Sequence, residues 1–165
     1  PLILVLVSNN SNATRRAGCL QLQAMLRQAG INVEIKYYPG QELFAPAGMG
    51  GILQLGKFDI SWAGWYAGID PDDSAQMLCE DFPPGGYNYA RYCNQDMQAA
   101  QNAALTRYDR PSRVAAYRKT QELLARDNPY IYLWWTRQME PISVDFKGFD
   151  PNPVVESWNS WQWSI

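Results

Sequence analysis

The run "LILVLV", Leu2–Val7, is apolar at every position. A strand with one face in water alternates apolar with polar residues. One that is apolar on both faces belongs inside a sheet covered on both sides, as parallel sheets are. The residues that follow agree with this. The polar stretch "SNNSNAT" offers several helix N-caps, and from about Arg15 the apolar residues Cys19, Leu22, Met25, Leu26 and Ala29 fall on one helical face, with Gly30 as the stop. Ile31, Val33, Ile35 and Tyr37 then alternate as a half-buried strand closed by Pro39-Gly40. Together these pieces form a βαβ unit, for which a right-handed crossover is expected.

Gln41 to Gly56 reads as short helical pieces broken by Pro46 and the glycines, and Phe58 to Trp62 as a third strand. Strands joined by helical crossovers predict an α/β fold with a central, largely parallel sheet flanked by helices. Asp70 to Asp81 contains a capped turn that starts a short helix around Ala75 to Leu78. Asn94 caps a helix through about Leu105, and Asp109 with Pro111 opens another that runs to Asp127 and ends at Asn128-Pro129. "YIYLWWT", Tyr130 to Thr136, reads as a fourth, strongly aromatic strand. From about Phe149 the chain is rich in Pro, Asn and Trp and has no helical period, so residues 1–148 are expected to form the α/β lobe and 149–165 an irregular tail.

At 165 residues the chain is long enough for one domain with a core. The net charge of -2 gives no general field for a polyanion, so nucleic acid is not an expected partner. Leu2–Val7 is far shorter than the ~20 apolar residues a bilayer span needs. Opening directly on a strand, without a leader or a methionine, the chain is expected to be a mature or excised piece. The absence of histidine removes Ser-His-Asp and Cys-His arrangements and the usual zinc sites. The three cysteines, at positions 19, 79 and 93, lack the short paired spacing of a metal knuckle. Asp70, Asp72, Ser74 and Asp81 match part of a calcium-loop count, but Ala75 stands where that loop needs glycine. No metal and no cofactor is expected.

The third strand ends in "WAGWYAG". In open α/β sheets ligands collect beyond the carboxyl ends of the strands. There Ala63, Gly64, Ala67 and Gly68 would let a ligand approach the main chain, while Trp62, Trp65 and Tyr66 supply apolar walls carrying one polar atom each. For any single Trp, burial in the core is the plainer reading. The combination of strand end, paired indoles, an adjacent Tyr and small residues points to a binding wall.

The ordered pieces "PLILVLVSNN", "LQLQAMLRQAGINVEI", "GKFDISWAGWYAGIDPDD", "NYARYCNQDMQAAQNAA", "YRKTQELLARDNPYIYLWW" and "FKGFDPNP" resemble the C-terminal lobe of the family 5 extracellular solute-binding proteins, the oligopeptide-, dipeptide- and nickel-binding components of ABC importers. The resemblance covers nearly the whole chain. It implies one lobe of a type II periplasmic-binding-protein fold, which closes with an N-terminal partner lobe on a small-molecule or peptide ligand and delivers it to an ABC transporter permease. It further implies that the tail returns to that partner lobe. The location implied is periplasmic or extracellular, with any membrane anchor carried by the parent chain.

By position, Trp62, Ala63 and Gly64 match the backbone that contacts ligand in this family. Peptide binders of the family commonly carry an aspartate three residues after that Trp, to hold the peptide's amino group, and here the position is Trp65. Recognition of an α-amine would then need Asp70 from the next turn. Without it, an N-blocked peptide, a sugar or another apolar-polar ligand is the expectation.

Cys79 and Cys93 flank "EDFPPGGYNYARY", a loop with too few aliphatic residues to hold itself together. They can close it as a disulfide or remain buried thiols. The disulfide is expected because the resemblance implies work outside the cytoplasm and because similar pairs occur in some dipeptide-binding relatives. Cys19, on an apolar helix face, reads as core. Two other functions fit the composition. One is a carbohydrate-binding or protein-interaction module using exposed Trp, and the other a carboxylate hydrolase using two of Asp70, Asp72, Asp73, Glu80 and Asp81. Against the hydrolase, these acids crowd one turn, with no lone carboxyl in an apolar setting.

Overall fold

The first strand, β1 (Leu2–Asn9), is the middle strand of a three-stranded sheet in the order β2-β1-β3. It pairs in parallel with β2 (Ile31–Tyr38) along its whole length and with β3 (Ile60–Trp62) at Leu6, Val7 and Ser8. This computed structural model describes residues 2–66, 68–137, 139–152 and 155–165. The two-residue repeat of a strand sends the fully buried Leu6 and Val7 to opposite faces. Leu6 joins Cys19 and Val33, while Val7 joins Leu43, Ile52 and Leu53. Leu2 and Ile3, by contrast, are exposed, because β3 is short and leaves that end of β1 with one neighbour.

Helix α1 (Ala13–Gln28) covers the Leu6 face. Asn12 caps it by accepting from the Arg15 N–H at 2.8 Å, and Gly30 ends it at φ +80°. Leu22 and Leu26 pack with Cys19 as the periodicity predicts, but Met25 is exposed. At 3.6 residues per turn Met25 lies about 120° around the helix from Cys19, too far to share its face. The opposite face is covered by α2 (Gly40–Leu43) and the turns after it, through Leu43, Ile52 and Leu53.

Gly18 marks the closest approach of α1 to the sheet, since a Cβ there would stand 2.5 Å from Cη2 of Trp62. Ala in place of Gly inside a helix gains about 1 kcal/mol in propensity, whereas overpacking costs about 1–3 kcal/mol. Gly18→Ala is therefore expected to lower the melting temperature despite the better helix former, and Gly18→Ala/Trp62→Leu to recover it. A rise in melting temperature for the single variant would show that the indole moves aside freely.

A second cluster lies apart from the sheet. The short α3 (Ser74–Met77), α4 (Gln95–Thr106) and α5 (Arg110–Asp127) gather Met77, Met97, Ala100 and Leu123. The expected caps are present: Asn94 on α4, Asp109 on α5, and Asn128 in the left-handed conformation after α5. Tyr92 and Asn94 both donate to Oδ2 of Asp127, at 2.6 and 2.7 Å. The Arg126 guanidinium first, then these donors, holds the Asp127 carboxyl well below the usual carboxylate range.

The expected fourth strand does not form. Tyr130 to Thr136 pairs with no strand among the described residues, and Ile131 and Trp135 are each 79% exposed. Aromatic composition marks a segment that suits a pleated, half-buried surface, but a strand also needs a neighbour to bond to. The tail turns back on the residues just before it. Lys147 and Ser164 form an antiparallel bridge, and Trp163 packs on Phe146 and Phe149 while its indole N–H donates to Asn159 Oδ1 at 3.0 Å. Trp158 and Trp161 meet edge to face at 5.8 Å on the surface. Among the described residues no helix is long and apolar enough to cross a membrane.

Candidate functional site

Because the strands are parallel, the carboxyl ends of β1 and β3 share one edge of the sheet, where the Ser8 hydroxyl donates to the Trp62 carbonyl at 2.8 Å. Trp62 is half-buried, packed over Gly18 and against the Leu6 cluster, with Trp134 edge-on at 5.6 Å. Its indole therefore supports the edge rather than facing outward. Ala63, Gly64, Trp65 and Tyr66 are exposed, Trp65 at 51% and Tyr66 at 71%. Ala67, the third of the small residues singled out in the sequence, lies outside the described residues.

Gly64 does not face empty space. A Cβ there would stand 3.1 Å from Nη2 of Arg15, whose Nη1 donates to Asn9 Oδ1 at 3.1 Å. The missing side chain makes room for a guanidinium against the main chain. Trp65 continues into an aromatic row, with Tyr87 at 5.7 Å and Tyr87 in turn at 6.2 Å from Tyr89, which packs on the Val7 core.

Tyr87 reaches Trp65 because the loop that carries it is tied at several points. Cys79 and Cys93 form the expected disulfide. Inside the ring, buried Asn88 donates to the carbonyls of Leu78 and Tyr92, at 3.0 and 2.7 Å, and accepts from the Tyr92 N–H. Gln54 donates to the Gly86 carbonyl at 3.0 Å, fastening the loop to the sheet side. Cys19 is the free, buried cysteine, its thiol pushed up by burial.

Asp70, Asp72, Asp73 and Glu80 each have a partner of their own. Both oxygens of Asp70 accept from Arg113 Nη2 at 2.8 Å and the Tyr117 hydroxyl donates at 3.0 Å, so the guanidinium holds this carboxyl below its ordinary value. Asp72 accepts from the Ser74 N–H, Asp73 pairs with Gln101, and Glu80 with Gln98. Burial pushes Asp73 and Asp81 up. Among the described residues no three His, Cys, Asp or Glu side chains group to hold a metal. Sequence reading missed Arg15, Tyr87 and Trp134. The tyrosines of "PPGGYNY" were a usable signal for the second, whereas Arg15 looked like any solvated helix residue.

No family model matches this chain. Di/tripeptide-binding protein 4 of Pseudomonas aeruginosa (strain UCBPP-PA14) is 28% identical over 136 residues, 81% of this chain and 24% of that protein. The peptide transport periplasmic protein SapA of Haemophilus influenzae is 29% identical over 130 residues, 78% of this chain and 22% of its own length. The chain thus spans about a quarter of the length of these curated relatives. Among solved structures, the oligopeptide-binding protein AppA of Bacillus subtilis, in complex with a nonapeptide, superposes with a TM-score of 0.79 at 21% identity, covering 99% of this chain and 32% of AppA. The homologues of this chain are family 5 periplasmic peptide-binding proteins of ABC importers, and its fold is that of part of a type II periplasmic binding protein.

Proposed function

We propose that this chain is the C-terminal lobe of a solute-binding protein that captures a peptide or peptide-like solute outside the cytoplasm and hands it to an ABC importer permease. The carrying observation is the half-exposed row of Trp65 and Tyr87 at the carboxyl edge of a parallel sheet. The periplasmic homologues and the Cys79–Cys93 disulfide support a compartment outside the cytoplasm. The contacting groups are the main chain of Ala63 and Gly64 and the rings of Trp65, Tyr66 and Tyr87, with Trp62 beneath them. In this reading residues 149–165 lie toward the N-terminal partner lobe, and no chemical step falls to the acids of the 70–81 turn.

The test separates the two indoles. In the two-lobe protein, Trp65→Ala is expected to weaken binding of a tripeptide by a factor of about ten or more, with little change in melting temperature. Trp62→Ala should instead destabilise, near the lower end of the about 3–5 kcal/mol seen for buried Trp→Ala, because its ring packs on α1. Calorimetric titration and thermal unfolding of both variants read this. Unchanged affinity in Trp65→Ala would remove the binding wall.

A further inference from the structure

We infer that Arg113 is a positioning residue for the ligand wall: through Asp70 it anchors the far end of the chain that carries Trp65 and Tyr66, and it does so without touching the ligand. This rests on the solute-binding reading above and adds to it a residue outside the site. The wall stands on a piece of chain with little support of its own. Ala63 to Tyr66 lie in neither helix nor strand, Gly64 and Gly68 flank the two rings in sequence, and Trp65, Tyr66 and Ile69 are exposed. Holding such a stretch in one conformation costs backbone entropy, most of all at glycine. Its two ends therefore decide how well it is held.

The near end leaves β3 at Trp62, which pairs with Ser8 of β1 and accepts from the Ser8 hydroxyl at 2.8 Å. The far end is Asp70, whose two oxygens accept from Arg113 Nη2 at 2.8 Å and whose Oδ1 also accepts from the Tyr117 hydroxyl at 3.0 Å. Arg113 is itself fixed. Its Nε donates at 3.1 Å to the carbonyl of buried Ala104 in α4, and its guanidinium carbon lies 5.5 Å from the centre of the Tyr117 ring. Three residues beyond Asp70, Asp73 pairs with Gln101 of α4. The wall thus spans from the sheet to a helical cluster that shares none of its buried residues with the clusters on the sheet. An ion pair as exposed as this one, with the Asp70 side chain at 54% and that of Arg113 at 31%, contributes little to global stability. Its effect is local. It sets the fraction of molecules in which the wall is correctly placed, and that fraction enters the apparent affinity directly.

The test uses the two-lobe protein and the tripeptide Ala-Phe-Ala, with calorimetric titration and thermal unfolding as readouts. Asp70→Ala and Arg113→Gln should each weaken binding at least about fivefold, the former with an unchanged melting temperature, and Arg113→Lys should recover part of the loss. In a Trp65→Ala background, Asp70→Ala should cost little more, because a wall without its indole gains little from being held. An Asp70 that held the peptide's amine directly would give the opposite sign for Arg113→Gln, which would free the carboxylate and tighten binding. Tighter or unchanged binding in Arg113→Gln, unchanged binding or a clear fall in melting temperature in Asp70→Ala, or full additivity of Asp70→Ala with Trp65→Ala would each overturn the inference while leaving the solute-binding reading in place. No binding of the tripeptide by the unaltered protein would overturn both.

Discussion

The isolated 165-residue chain is expected to bind no tripeptide measurably, whereas the two-lobe protein proposed above is expected to bind it. Small-molecule sites normally bury ~70–90% of the ligand. Here the wall of Trp65, Tyr66 and Tyr87 is one open surface, with each of these residues exposed. Shallow grooves also lie elsewhere among the described residues, one lined by Asp70 and Arg113 and another by Gln23 and Arg27. Half of a site's contacts do not offset the lost translational and rotational freedom of the ligand. The chain should nevertheless fold by itself, since its buried clusters are closed by its own residues. A long run of apolar surface stands open in the 130–136 segment, where Ile131, Tyr132, Leu133, Trp134 and Trp135 are all exposed. Self-association of the isolated chain through this segment, more than through Trp163 of the tail, is expected in light scattering. Comparable affinity in the isolated and two-lobe forms would mean that the site is complete within these residues and would end the half-site reading.

Replacing both Cys79 and Cys93 by Ser should cost about 3 kcal/mol, the loop-closure entropy of a ring of roughly fifteen residues, and produce a clear fall in melting temperature. The ring encloses few aliphatic side chains, and Asn88 and Gln54 bind it through main-chain carbonyls and one N–H. The effect should reach the site, because the same ring holds Tyr87 against Trp65. Peptide affinity of the Ser variant is therefore expected to fall even at temperatures where it remains folded. Thermal unfolding and titration of the variant beside the unaltered protein give both readings. An unchanged melting temperature would show that the Asn88 network alone fixes the loop.

Local features of the chain were legible before any coordinates. The all-apolar "LILVLV" run became the central strand with Leu6 and Val7 on opposite faces, Asn94 and Asp109 cap the helices they were expected to start, and Asn12 is the one of several candidates that caps the first helix. Such signals are readable because caps, turn glycines and periodicity act within a few residues of themselves, by backbone sterics and short hydrogen bonds. Family likeness added the expectation of a lobe and of its kind of ligand. What only the tertiary structure decided involves partners far apart in sequence: Arg113 on Asp70, Arg15 against Gly64, Tyr87 beside Trp65, and, among the described residues, the want of a paired strand for Tyr130 to Thr136. A side chain's charge and apolar area can be read from its letter. Whether that charge is neutralised or that area covered depends on which distant segment the fold places beside it, as Arg113 is placed beside Asp70.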